Sequence, residues 1–70
     1  MEILKKFGIK IKEIRISQDI SQEDLAYKAG LHRTYISSIE LGKRNVSLIN
    51  IQKLSKALNC RIIDFFMDKK

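Results

Sequence analysis

Apolar residues recur along this chain at the spacing of a helix, and the first such stripe is the longest. Its apolar positions follow one another at intervals of three or four residues, with lysines and a glutamate between them: Leu4, Phe7, Ile11 and Ile14. This period predicts an amphipathic helix over residues 2–17, because every third or fourth residue lies on one face of a helix. Gly8 interrupts the stripe, which indicates a slow helix start or a local kink at this position.

A serine and two glycines mark the second and third helices. Ser21 is placed to cap a second helix over residues 22–29. Gly30 ends this helix, since glycine readily adopts the left-handed backbone of a helix exit. A third helix is predicted over residues 33–41, and the next glycine closes it.

The last third of the chain predicts two more helices. Ser47 caps a fourth helix over residues 48–58, and Asn59 stops it. Its apolar positions again have helical spacing: Leu48, Ile51, Leu54 and Leu58. A short fifth helix over residues 61–67 follows, and residues 68–70 are expected to fray. The whole pattern predicts an all-α fold, a compact five-helix bundle.

The second and third helices have the layout of a helix-turn-helix unit. Ala26 is small enough to let the two helices approach closely, and Gly30 lies four residues later at the turn. Ile36 and Ile39 have the spacing of inward-facing residues. The outward positions of the third helix then carry polar and basic groups, which can reach base edges and phosphates: Arg33, Thr34, Ser37, Ser38 and, more to the side, Tyr35. This segment therefore predicts a recognition helix for the major groove of DNA.

The composition narrows the choice of partners. Seventy residues form one domain, residues 1–70, and the 44% of hydrophobic residues indicates a globular chain rather than a disordered one. The formal net charge of +6 favours polyanions, meaning nucleic acid or an anionic membrane surface. No apolar run approaches the roughly 18 residues of a membrane span. A membrane-surface peptide would be one long amphipathic helix and not a glycine-broken bundle.

The sequence does not indicate a disulfide, a metal site or a catalytic site. A single cysteine, Cys60, excludes an internal disulfide, and the N-terminus lacks the apolar core of a signal peptide, so a cytoplasmic setting is the default. Cys60 is interpreted as a small apolar residue at a helix junction. Together with the lone His32 it offers too few ligands for a zinc site, and no nucleophile–base pair or phosphate-cradling glycine loop is present. The sequence therefore predicts neither an enzyme nor a bound metal or cofactor.

Residues along nearly the whole chain carry a resemblance to a known family: Gly8, Ile11, Ile14, Arg15, the run from Ile20 to Ala26, Gly30, Leu31, Tyr35, Ile36, Ser37, Ile39, Glu40 and Gly42. This pattern resembles the phage-repressor-like (Cro/CI, XRE) helix-turn-helix proteins. The run from Arg33 to Ser37, followed by Glu40 and by Arg44 and Asn45, is similar to the controller proteins of restriction–modification systems. The resemblance implies a lambda-repressor-like DNA-binding domain that acts as a homodimer on operator DNA upstream of its own gene and of an endonuclease gene.

The resemblance also implies roles for individual residues. It implies that Gln22 touches phosphate and braces the recognition helix, and that Arg33 reads guanine through a bidentate contact. Tyr35 is similar to an aromatic residue that approaches the DNA backbone. Arg15 and Glu40 correspond to an ion pair that ties the first helix to the end of the third. The other implied DNA contacts lie on the third helix and in a phosphate-clamping loop after it: Thr34, Ser37 and Ser38, then Lys43, Arg44 and Asn45.

Several of these residues have plainer alternatives. For Tyr35 the alternative is that its ring packs on a neighbouring helix, and for Ser37 and Ser38 that they are helix surface without a contact. The lysines of the first helix are interpreted as a solvated face that adds only a diffuse field. His32 stands at the N-cap of the third helix, where imidazole caps less well than Ser, Thr or Asp, which predicts a weaker helix start. Its alternative is a DNA contact made by the protonated ring.

The predicted fifth helix is too apolar to have one buried face. Its apolar residues cover more than one side: Ile62, Ile63, Phe65, Phe66 and Met67. One side can pack on the fourth helix, and the rest would form an exposed apolar patch of the kind that marks an interface. Residues 61–67 are therefore predicted to contribute to a two-fold homodimer that sets two recognition helices about 34 Å apart. The alternative is that both phenylalanines fold back onto the core.

The predicted function is transcriptional regulation by a homodimer that occupies a pseudo-palindromic operator in double-stranded DNA. Occupancy blocks RNA polymerase or recruits it, depending on where the operator lies. A controller of a restriction–modification system is the specific expectation. The alternatives are an orphan repressor, the DNA-binding antitoxin of a toxin–antitoxin pair, and a protein–protein adaptor that does not bind DNA. An antitoxin needs a surface or tail to hold its toxin, for which residues 68–70 offer little.

Overall fold

In a computed structural model, which describes residues 1–67, the chain folds into four α-helices and a short 3-10 helix. The elements in chain order are α1, Glu2–Ser17; α2, Gln22–Ala29; α3, Arg33–Glu40; α4, Leu48–Ala57; and the 3-10 helix, Ile62–Phe65. Helix α3 packs against α1 and α2, while α4 packs against α2 and the 3-10 helix. None of these helices is long and apolar enough to cross a bilayer. The described residues contain no strand, which confirms the all-α prediction; residues 68–70, expected to fray, lie outside them.

The prediction of a fifth α-helix over residues 61–67 is wrong, so the five-helix bundle becomes four α-helices and a 3-10 turn. The backbone there bonds from i to i+3: the Asp64 amide donates to Arg61 O at 3.0 Å, and the Phe66 amide donates to Ile63 O at 2.9 Å. The Asp64 carboxylate also accepts a hydrogen bond from the Arg61 amide at 2.9 Å, which caps the N-terminus of the 3-10 helix. A segment this short gains little from the cooperativity of an α-helix.

The predicted helix ends are confirmed at both capping serines and near the three predicted stops, since Gly42 also has a left-handed backbone, with φ +75°. Ser21 Oγ accepts from the amide three residues on at 3.0 Å, and Ser47 Oγ does the same at 3.1 Å. Gly30 has φ +69° and Asn59 has φ +53°. His32 is the N-cap of α3 and makes no side-chain hydrogen bond there, so α3 lacks the side-chain acceptor that starts α2 and α4.

A single core lies between these helices. Its most buried large side chains come from every element or its cap: Ile11, Leu25, Ile36, Ile39, Leu54, Leu58 and Phe65. Leu48 belongs to the apolar stripe of α4 but is not part of this core, because 82% of its surface is exposed. Leu48 is the first residue of α4, and because helical side chains tilt towards the N-terminus, this position is expected to lie outside the turns of α4 that reach the core.

Helix α1 runs without a break through Gly8. Gly8 is buried, and a Cβ added there would lie 2.2 Å from the backbone oxygen of Ile39 and 3.0 Å from that of Glu40. Glycine therefore lets α1 approach the carbonyl end of α3. The interruption of the apolar stripe marks a packing point between two helices and not a hinge.

Candidate nucleic-acid interface

Helix α3 is held by its buried face, and this determines which side chains face outward. Ile36 and Ile39 are at most 1% exposed and lie in the core. Two of the predicted contact residues of α3 are exposed, Arg33 and Thr34. The other three are half-buried: Tyr35, Ser37 and Ser38. The first turn of α3 is therefore the most accessible part of this helix.

The turn between α2 and α3 is fixed by its backbone. The Leu31 amide donates to Ala26 O at 2.9 Å, and the Gly30 amide donates to Tyr27 O at 3.3 Å. These bonds are typical of a helix that ends on a left-handed glycine. A Cβ added at Gly30 would meet nothing within 4 Å, so the positive φ, and not lack of space, favours glycine here. Ala26 is only 4% exposed, as expected for the place where two helices approach closely.

A buried network joins α1 and α2 to the end of α3. Arg15 Nε donates to Glu40 Oε2 at 2.7 Å, and Arg15 Nη2 donates to Oε1 of the same carboxylate at 3.2 Å. Arg15 Nη1 donates to Ile20 O at 2.9 Å, and Gln22 Nε2 donates to Glu40 Oε1 at 2.9 Å. The side chains of Arg15 and Glu40 are only 11% and 3% exposed. Charge-assisted hydrogen bonds therefore tie the last turn of α3 to both preceding helices.

The loop after α3 folds back onto that helix. Arg44 Nε donates to Ser38 Oγ at 3.0 Å, and the guanidinium carbon of Arg44 lies 5.5 Å from the centre of the Tyr35 ring. Ser38 Oγ donates in turn to Tyr35 O at 2.8 Å. Within residues 1–67 the two terminal nitrogens of Arg44 have no hydrogen-bond partner, so their donors remain available for a phosphate or a base.

Asn50 joins the group of contacts formed by Tyr35, Ser38 and Arg44, although the sequence pattern does not single it out. It lies in the first turn of α4, and its Nδ2 donates to the Tyr35 hydroxyl at 3.1 Å. With His32, Thr34, Tyr35 and Arg44 it lines an open groove between the starts of α3 and α4. The available signal was its place as the third residue of the helix that follows the basic loop.

The remaining predicted contacts are less constrained. Lys43 and Asn45 are exposed in the same loop as Arg44, and their side chains make no hydrogen bond within the described part of the chain. Gln22 is half-buried and donates to Glu40, so it braces α3 from the start of α2. Its contact with phosphate stays a prediction.

Cys60 lies away from this face, half-buried beside the 3-10 helix. Burial raises the pKa of its thiol above the ordinary value, and the Asp64 carboxylate adds to the rise. Because the thiolate is the reactive form of cysteine, a raised pKa makes Cys60 less reactive near neutral pH. This agrees with its interpretation as a small residue at a helix junction.

The apolar side chains at the end of the chain separate into one buried and four exposed residues. Phe65 is 2% exposed, and its ring meets the Phe7 ring edge-on at 5.6 Å between centroids. The prediction of Phe65 in a dimer interface is therefore wrong, because its side chain is part of the core. Phe66 stacks on Phe7 at 5.5 Å but stays 52% exposed. The exposed residues, called the C-terminal patch below, are Ile62, Ile63, Phe66 and Met67.

Known proteins with a similar sequence include control proteins and other helix-turn-helix regulators. A family model described as helix-turn-helix matches residues 11–65. The control protein C.BamHI of Bacillus amyloliquefaciens is 56% identical over 63 residues, which cover 84% of this chain and 78% of that protein. The control protein C.MunI of a Mycoplasma species is 47% identical over 68 residues, which cover 96% of this chain and 92% of that protein.

Solved structures share the fold. The restriction–modification controller protein C.AhdI from Aeromonas hydrophila gives a TM-score of 0.93 at 44% identity, over 94% of this chain and 100% of that one. The controller protein C.Esp1396I, solved as a tetramer in complex with its natural 35-base-pair operator, gives 0.87 at 41% identity, over 94% of this chain and 87% of that one. Variants of C.Esp1396I have also been solved with an arginine, a threonine or a tyrosine replaced, at three consecutive positions.

Proposed function

Because this chain belongs to the helix-turn-helix family and, within it, to the restriction–modification controller proteins, we propose that it regulates transcription by binding a specific operator in double-stranded DNA. The observation that carries the proposal is the outward face of α3. Arg33 and Thr34 are exposed on a helix whose opposite side is locked into the core. A rigid helix with basic and polar side chains on its free face suits reading of the major groove. The net charge of +6 supplies attraction to phosphate.

The residues proposed to read the operator lie on the same face. The three consecutive positions replaced in C.Esp1396I carry arginine, threonine and tyrosine, and Arg33, Thr34 and Tyr35 form the one occurrence of that tripeptide in this chain. We assign Arg33 to a bidentate contact with guanine, and Thr34 and Ser37 to base edges or nearby phosphates. Tyr35 and the loop 43–45 are assigned to the sugar–phosphate backbone.

A second copy of the chain is the proposed partner at the C-terminal patch. Its four apolar side chains are exposed by 40% to 52%, and neighbouring exposed apolar side chains of this kind mark interfaces. A two-fold pair presents two copies of α3 to successive major grooves about 34 Å apart, so we expect a pseudo-palindromic operator. Binding at such a site blocks RNA polymerase or recruits it, according to the position of the operator.

Selection of binding sites from a random duplex pool tests the proposed function. A salt concentration of about 150 mM suppresses purely electrostatic binding, which does not depend on sequence. We expect a palindrome with half-sites about one helical turn apart, and we expect the same motif upstream of this chain's own gene and of a neighbouring endonuclease gene. If no motif is enriched, the charge acts non-specifically and the protein is better explained as an adaptor.

Arg33→Ala and Arg44→Ala are expected to weaken DNA binding in different ways. Loss of Arg33 removes a base contact, so affinity for the operator falls by about 1–3 kcal/mol and preference relaxes at one position per half-site. Loss of Arg44 removes a phosphate contact, so affinity falls alike for operator and scrambled duplexes and the salt dependence becomes shallower. Fluorescence anisotropy with both duplexes at several salt concentrations measures these effects. Identical behaviour of the two variants on both duplexes would contradict the assignment.

Ile63→Asp is expected to weaken self-association on the order of 30-fold, because it places a charge in an apolar interface. Ile9→Asp is the matched control, since Ile9 is 54% exposed and Ile63 is 52% exposed, but Ile9 lies on α1 outside the C-terminal patch. Sedimentation equilibrium over a range of protein concentrations measures both variants. Unchanged association of the Ile63 variant would place the interface elsewhere, and equal weakening of both would show that the patch is not specific.

A further inference from the structure

We infer that Asn50 is a positioning residue for operator binding: it holds the phenol of Tyr35 and, through the Tyr35 ring, keeps the guanidinium of Arg44 in place for DNA. This role rests on the proposed function, because it concerns how Tyr35 and Arg44 are held in position in the protein without DNA. Asn50 is not among the residues assigned above to touch DNA. It acts through Tyr35 and Arg44, which are assigned to DNA contacts.

The Asn50 amide connects two helices at the edge of the interface. Its Nδ2 donates to the Tyr35 hydroxyl at 3.1 Å, and among residues 1–67 this is the one side-chain hydrogen bond between α3 and α4. Asn50 is itself fixed, because its backbone amide donates to Ser47 Oγ at 3.1 Å in the capped first turn of α4. Asn50 and Tyr35 are both half-buried, where a hydrogen bond is electrostatically stronger than in open water. The phenol therefore has an anchor on a neighbouring helix.

Tyr35 in turn supports Arg44. Its hydroxyl bonds to Asn50, while its ring lies 5.5 Å from the guanidinium carbon of Arg44, a distance at which cation–π attraction operates. The second support is Ser38, whose Oγ accepts from Arg44 Nε at 3.0 Å. An arginine held at two points loses less side-chain freedom when it meets a phosphate, and such pre-organisation raises affinity. Asn50 maintains one of these two supports.

A double-mutant cycle on operator affinity tests whether Asn50 acts through Tyr35. Asn50→Ala is expected to lower affinity by about three- to tenfold, the size of one neutral hydrogen bond. In the Tyr35→Phe background the hydroxyl is already gone, so the same substitution is expected to change affinity by less than about twofold. Gln52→Ala is the matched control, since Gln52 is an exposed amide on the same helix, about 200° around the axis from Asn50. We expect it to bind like the parent protein.

Two outcomes of the cycle overturn the inference. If Asn50→Ala weakens binding equally in the Tyr35 and Phe backgrounds, Asn50 touches the operator itself and does not act through the phenol. If Asn50→Ala binds the operator like the parent, the hydrogen bond has no role in recognition. In both cases the parent protein still selects an operator, so the proposed function stands.

A measurement without DNA keeps this inference separate from the proposed function. The chain has two tyrosines and no tryptophan, and Tyr27 is 89% exposed. A Tyr27→Phe protein therefore reports Tyr35 alone in the tyrosine band of near-ultraviolet circular dichroism. In that background Asn50→Ala is expected to lose much of the band while the far-ultraviolet spectrum is retained. An unchanged band overturns the inference. If the parent protein selects no operator, the proposed function fails, and the inference about operator binding fails with it even when the band is lost.

Discussion

Gly8→Ala is expected to lower the free energy of unfolding by about 3 kcal/mol, although alanine favours a helix interior by about 1 kcal/mol over glycine. The cause is the contact between α1 and the end of α3, where the added Cβ would lie 2.2 Å from Ile39 O and 3.0 Å from Glu40 O. Both atoms belong to the backbone, so relief requires the two helices to move apart. That movement also strains the bonds from Arg15 to Glu40, which join the same helices.

Gly30→Ala is the matched comparison for this prediction. A Cβ at Gly30 meets nothing within 4 Å, and only φ +69° opposes it, so the expected loss is about 1 kcal/mol. Chemical unfolding of both variants at one protein concentration measures the difference, because dimerisation makes stability depend on concentration. If Gly8→Ala is as stable as the parent protein, α1 and α3 separate at little cost and the close approach does not hold the recognition helix.

The helical part of the fold is predictable from the sequence because it depends on local chemistry. Apolar spacing, serine caps and left-handed exits each act over a few residues, and they predict α1 to α4 to within one residue of the observed ends. The outward position of Arg33 and Thr34 follows in the same way, since Ile36 and Ile39 determine which side of α3 is buried. The spacing of two isoleucines is therefore sufficient to identify the recognition face.

The features that could not be predicted depend on contacts between distant parts of the chain. Phe65 and Phe66 are neighbours in sequence and both rings contact Phe7 of α1, yet the first is buried in the core while the second stays half exposed. Gly8 interrupts an apolar stripe because the backbone of α3, at Ile39 and Glu40, leaves no room for a side chain there. Asn50 joins the interface through one hydrogen bond to a tyrosine of α3, and its place in the first turn of α4 does not by itself predict that bond.

Arg15→Met is expected to lower the free energy of unfolding by about 3–5 kcal/mol, a large part of the roughly 5–15 kcal/mol that stabilises a typical domain. Methionine keeps most of the side-chain length but no charge. Within residues 1–67 the Glu40 carboxylate, 3% exposed, then keeps only its side-chain bond from Gln22, and Ile20 O loses its donor at 2.9 Å. An unpaired carboxylate removed from water is strongly destabilising.

A surface pair in the same chain provides the control for this substitution. Lys6 Nζ lies 3.8 Å from a Glu2 carboxylate oxygen, and their side chains are 73% and 80% exposed. Lys6→Met is therefore expected to change stability by no more than about 0.5 kcal/mol. Chemical unfolding of the two methionine variants separates the effect of a buried pair from the general effect of removing one positive charge.

The loss in Arg15→Met arises mainly from the stranded Glu40 carboxylate and not from the net strength of the pair. Adding Glu40→Met to it is therefore expected to recover much of the stability, because two apolar side chains of similar length leave no unpaired charge. If the double variant loses the sum of the two single losses, the stranded charge is not the cause. Operator affinity of the folded double variant should stay below that of the parent protein. Methionine at position 40 cannot accept the bond from Gln22 that ties the start of α2 to the last turn of α3.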